Sequence, residues 1–134
     1  MDRALEELMS ARTIAVVGLD SRTWRPAHQI ASYLQGAGYR VIPVWFQERA
    51  DEVLGERAYA SLRDIPGPVD VVDVFVRSEQ TDQVVDDAIA VGAKCVWLQQ
   101  GIRNDAALTR AEAAGLAVAQ DRCTMVEHRR AAGG

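Results

Sequence analysis

The stretch TIAVVGLDSRTWRPAH, Thr13 to His28, decides how this chain is read. Thr13 to Val17 is short, β-branched and apolar, the pattern of a strand buried on both faces, and it ends at Gly18. A polar loop carrying Arg22 and Arg25 follows. Pro26 then fits the first turn of a helix, where its missing N–H costs nothing. A strand, a glycine turn and a helix start together offer an anion free backbone N–H groups and a positive helix end. The dinucleotide fingerprint wants three glycines in such a loop. This loop has Gly18 alone, so the motif by itself leaves the ligand open.

Working outward, Ile30, Tyr33, Leu34 and Ala37 recur at helical spacing, and Gly38 ends that helix. Tyr39 to Val44 reads as a second strand, Asp70 to Val76 as a third, Ala93 to Leu98 as a fourth and Leu116 to Ala119 as a fifth. Between the third and fourth, Glu79 to Val91 reads as a helix with Val84, Val85, Ala88 and Ile89 on its apolar face. Asn104 can cap a further helix running to Ala114, which Gly115 closes. A short helix from Asp2 to Met9 precedes the first strand. Buried strands alternating with helices predict an α/β fold. The expected form is one Rossmann-like, doubly wound domain over residues 1–134, with a five-stranded parallel sheet in the order 3-2-1-4-5 and helices on both faces. Trp45 to Pro68 is the long connection, and residues 131–134 are expected to fray.

Composition agrees with this class. The chain has 134 residues, 49% hydrophobic and 25% charged, enough for one domain with its own core. A net charge of -4, with no basic cluster beyond Arg129-Arg130, speaks against nucleic acid as a partner. No apolar run is long enough for a membrane span. Met1 to Ala11 is acidic and polar, unlike a signal peptide. Cys95 and Cys123 lack metal-site spacing and are too few for a disulfide scaffold, which suggests a reducing cytoplasm.

Open parallel sheets bind ligands beyond the carboxyl ends of their strands, where strand order reverses. In the expected order that point lies between strands one and four. It joins Gly18-Leu19-Asp20-Ser21 to Gln99-Gln100-Gly101. Arg22 and Arg25 can add charge-assisted bonds to phosphate oxygens. Trp45, Arg77 and Ser78, at the ends of strands two and three, form the far half of the crevice. A dinucleotide of the NAD type also wants an acid at the end of strand two for the ribose hydroxyls. Glu48 is the nearest and stands out of place.

At this point the residues resemble a family. TIAVVGLDSRTWRPAHQIASYLQGAGYRVIPV, LGERAYASLRDIPGPVDVVDVFV, AKCVWLQQGIRN and AEAAGLAVAQDRC are similar, in order, to the small stand-alone CoA-binding proteins. These in turn are similar to the CoA-binding domain of the succinyl-CoA synthetase α subunit. The resemblance spans about Ala11 to His128. It implies coenzyme A or an acyl-CoA laid along the strand ends. The pyrophosphate would meet the loop Gly18 to Arg25, the adenosine the turn after strand two, and Arg77-Ser78 with Gln99-Gln100-Gly101 would flank the rest. Three positions depart from the family pattern: Asp20 replaces a serine, Trp45 an asparagine and Val76 a basic residue. Asp20 would repel a phosphate unless it bonds loop N–H groups. Trp45 can stack on adenine but cannot hydrogen-bond it as asparagine would.

Other residues have quieter readings. Trp24 can cover a ligand or pack on the helix start, with packing the leading expectation; Trp97 is expected in the core and Cys95 as a small buried apolar residue. Cys123 can be inert or can meet a CoA thiol. Asp73, amid valines, needs a buried partner, either backbone or a basic group. His28 and His128 have no acid partner in sight, and no catalytic constellation is found. The leading expectation is a CoA-type small-molecule binder without catalysis. The alternatives are an NAD-type dinucleotide module and a ligand-free interaction domain, and a homodimer is open.

Overall fold

The structure, a computed structural model, describes residues 1–47 and 50–133. Helix α1 (Arg3–Ser10) is capped by Asp2, whose carboxylate accepts from the Leu5 N–H. Strand β1 (Thr13–Val17) runs into the glycine loop, and Pro26 opens helix α2 (Pro26–Gly36). Strand β2 (Arg40–Val44) follows, then a small hairpin of β3 (Glu52–Val53) and β4 (Glu56–Arg57). After a short 3-10 turn, Leu62–Asp64, come β5 (Val71–Val74), α3 (Thr81–Ala90) and β6 (Cys95–Leu98). Helix α4 (Asp105–Ala113), capped by Asn104, strand β7 (Ala117–Ala119) and helix α5 (Thr124–Gly133) complete the chain.

Period-two alternation divides the core. Ala15, Val17, Val72, Val74, Val96 and Leu98 face α3 and α4, where Val85, Ala88, Ala107 and Ala111 meet them. Ile14, Val16, Val71, Cys95 and Trp97 face the other layer, where Leu8, Ala27, Ala31 and Leu34 cover them. The expected α/β class, five parallel strands and two helical layers are therefore present.

Two neighbour relations differ from the expected order 3-2-1-4-5: the third of these strands lies beside the first and the fourth, not at the outer edge beside the second. The sheet runs β2-β1-β5-β6-β7, which is 2-1-3-4-5 when its five strands are counted along the chain. Strand β1 pairs with β5, not with β6. The cause can be read at Pro43, paired with Val16 in the middle of β2. Proline cannot donate to a ladder and belongs at a sheet edge. On the outer side of β2, Tyr59 N–H donates to Pro43 O at 3.0 Å, and Tyr59 O accepts from Trp45 N–H at 2.9 Å. On the other flank of β1, the Asp70 carboxylate accepts from the N–H groups of Arg12 and Thr13 at 2.9 and 3.0 Å and pins β5 alongside. The point where strand order reverses thus lies between β1 and β5.

Helix α5 is an element the sequence reading left out. Only Thr124 of it is buried, so its apolar pattern is faint. It docks on α1 and α2, with Tyr33 Oη 2.8 Å from His128 Nδ1. Ala131 to Gly133, expected to fray, continue this helix.

Candidate functional site

The tips of β1, β2 and β5 are stitched together at Gly18. Its N–H donates to Val44 O at 2.8 Å, and Phe75 N–H donates to Val17 O at 2.8 Å. Gly18 has φ +98, and a Cβ there would sit 3.0 Å from the Phe75 carbonyl oxygen. Glycine is needed here for both the backbone conformation and the close approach. Leu19 turns into the core at 0% exposure. Arg25 occupies the N-cap position of α2 with extended backbone and gives no side-chain cap, while its carbonyl accepts from the His28 and Gln29 N–H groups at 3.1 and 3.2 Å.

Asp20 bonds its own loop. It accepts from the Arg22 N–H at 3.0 Å and from the Arg22 guanidinium through both Nε and Nη2. Burial alone would raise its pKa. The bonds from the Arg22 side chain and backbone, with the charges of Arg22 and Arg25, outweigh burial and hold it below the ordinary aspartate value. Ser21, Arg22 and Arg25 are exposed on the rim.

Two cavities flank this loop. One, of about 430 Å³, begins at Val17 and is walled by Val44, Trp45, Phe46 and Val76, by the segment Ala60 to Arg63, and by Gln80, Gln83, Val84 and Asp87 of the α3 side. The other, of about 440 Å³, is lined by Pro26 and Ile30 of α2 and by Phe75, Gln99, Gln100, Ile102 and Cys123. Trp45 and Phe46 pack on each other, ring centroids 4.9 Å apart, as a wall of the first cavity. Trp24 is 70% exposed, not packed on the helix start as expected. The loop between Gly18 and Pro26 holds it out from the core.

The remaining expected residues divide. Arg77 is exposed at the end of β5, before the short turn Ser78–Gln80. The Ser78 hydroxyl accepts from Arg103 N–H at 3.1 Å, so it ties two loops together. Gly101 N–H donates to Asp121 at 2.7 Å, and Gln100 is exposed. Gln99 is buried, its amide nitrogen donating to Asp73 Oδ1 at 2.6 Å and to Thr124 Oγ1 at 2.7 Å. Thr124 in turn donates to Asp73 Oδ2 at 2.9 Å. Asp73 thus has neutral side-chain partners, where backbone or a basic group was expected. Burial pushes its pKa up to about 7 against the lowering by these two bonds. Cys95, buried as expected, is pushed up to about 12. Glu48 lies outside the described residues.

Sequence reasoning missed one whole wall of the first cavity. Ser61, Leu62 and Arg63 come from the long connection, which the Val44–Tyr59 bridge brings back beside β2. Gln80, Gln83, Val84 and Asp87 follow the i, i+3, i+4, i+7 pattern of one helix face, a signal that was available. Arg63 Nε donates to Asp87 Oδ1 at 2.7 Å, and Gln83 Nε2 donates to the same oxygen at 2.9 Å.

No helix among the described residues is long and apolar enough to cross a membrane. Comparison with known proteins gives the relationships. Uncharacterized protein YneT of Bacillus subtilis (strain 168) is 41% identical over 123 residues, 92% of this chain and 90% of that protein. The structure of cell-free ID.343 from Thermus thermophilus aligns with a TM-score of 0.89 and 42% identity, covering 93% of each chain. The apo form of the dinucleotide forming acetyl-coenzyme A synthetase 1 from Ca. Korarchaeum cryptofilum contains a region similar to 85% of this chain, at 30% identity and a TM-score of 0.74. That region is 27% of the synthetase chain. Residues 12–129 match the family described as CoA binding domain, and this chain belongs to that family.

Proposed function

We propose that the chain binds coenzyme A or an acyl-CoA across the carboxyl ends of β1, β2, β5 and β6, and performs no chemistry of its own on it. The supporting observation is the pair of cavities on either side of the loop Gly18 to Arg25. Coenzyme A is an elongated molecule with a base at one end, phosphates in the middle and a thiol arm at the other. The apolar cavity beside Trp45 suits the adenosine end. The positive end of α2, which no side chain caps, with Arg25 exposed on the rim, suits the pyrophosphate. The second cavity, between Pro26 and Gln100, suits the pantetheine arm. Asp20 is compatible with a phosphate nearby because Arg22 already neutralises it.

Calorimetric titration tests this with CoA, acetyl-CoA, 3′-dephospho-CoA, NAD and ATP at matched ionic strength. CoA is expected to bind in the micromolar range, about −8 kcal/mol, with NAD silent. A folded protein that binds no CoA species, or that prefers NAD, would overturn the reading. Acetyl-CoA incubated with the protein is expected to release thiol no faster than in buffer.

A further inference from the structure

The cavity that the proposed function gives to the adenosine end is mainly apolar, and its polar lining comes from Ser61, Arg63, Gln80, Gln83 and Asp87. Asp87 is 8% exposed and sits on its wall. Its Oδ1 is fully committed, accepting from Arg63 Nε at 2.7 Å and Gln83 Nε2 at 2.9 Å. No described residue donates to Oδ2. Nor is any buried side-chain oxygen or nitrogen among the described residues left without a partner, so Oδ2 is not sealed inside protein. The open space beside it is the cavity.

We infer that Asp87 reads the base: its open carboxylate oxygen accepts a hydrogen bond from the exocyclic amino group of an adenine lying between Trp45 and α3. This rests on the reading that the cavity holds the adenosine end of CoA. An ionised carboxylate only accepts hydrogen bonds. It rewards the 6-amino group of adenine and repels the 6-oxo group of hypoxanthine held at the same point. The Arg63–Asp87 pair leaves no lone charge against the apolar wall, and the two donors on Oδ1 fix the rotation of the carboxylate. Arg63 and Gln83 are positioning residues here. The site-built acceptor gives discrimination that an apolar slot alone does not.

Calorimetric titration of the wild type with CoA and with its hypoxanthine analogue tests this. CoA is expected to bind about tenfold or more tightly, the scale of one hydrogen bond to a charged group. Asp87→Asn sharpens the test. Arg63 and Gln83 would hold its amide oxygen, so its NH₂ would face the cavity as a donor, and the preference is expected to vanish or invert. A wild type that binds both ligands equally overturns the inference, whether or not the variant folds. So does an unchanged preference in a folded Asp87→Asn. In both cases tight CoA binding persists, and the proposed function stands. If the wild type binds neither ligand, both fall together.

Discussion

Asp20 and Asp73 are both buried aspartates under the same strand tips, yet their surroundings push them in opposite directions. Asp20 is held by a guanidinium and a backbone N–H and stays ionised. Asp73 is held by a hydroxyl and an amide, neither of them charged. Burial dominates there and favours the protonated acid. The difference shows that the crevice separates two tasks. The loop at its rim holds ionised groups at the surface, which under the proposed function would lie beside the pyrophosphate. The layer below keeps charge out and joins β5, β6 and α5 by a neutral network.

The most damaging way to break the Asp20 side alone is Gly18→Ala. Its Cβ would press on the Phe75 carbonyl at 3.0 Å and its φ of +98 would be strained. A loss of about 2–4 kcal/mol in urea unfolding at pH 7 is expected, together with the loss of CoA binding.

Asp73→Asn tests the other side. The folded pKa of Asp73 is raised from 3.8 to about 7, so between those values the folded state binds more protons than the unfolded state. Stability from this group therefore falls as pH rises through that window, by up to about 1.4 kcal/mol per pH unit. The asparagine variant is expected to lose that slope. Thermal melts from pH 4 to 8 that fall equally in both proteins would contradict the assignment.

The smallest effect is expected from Asp20→Asn. Asp20 has a lowered folded pKa, so its contribution is present above the unfolded value of 3.8 and is lost as pH falls through the folded one. The variant should lose about 1 kcal/mol at neutral pH and progressively less as pH falls below 3.8. With one negative charge gone from the loop, CoA should bind it more tightly at low ionic strength, a gain that added salt removes.

The rim was largely legible because local features specify it. Gly18, Pro26 and the two arginines lie within nine residues of one another, and an alternative reading of Asp20, bonding its own loop, was already visible. The sheet order was less so, although Pro43 carried the information: a proline in the middle of a strand marks an edge. The cavity wall from Ser61 to Arg63 was not legible. Its place depends on the Tyr59 segment returning to β2, a pairing between residues far apart with no periodic pattern. The partners of Asp73 were hidden for the same reason, since Thr124 belongs to a helix with a single buried residue.

The most direct test of the account is a ¹⁵N-labelled NMR titration with CoA. The amides of Gly18 to Arg25, Trp45, Val76-Arg77 and Gln99 to Gly101 are expected to shift along one binding curve. Shifts confined to α4 and α5, or no shifts from a folded protein, would contradict it.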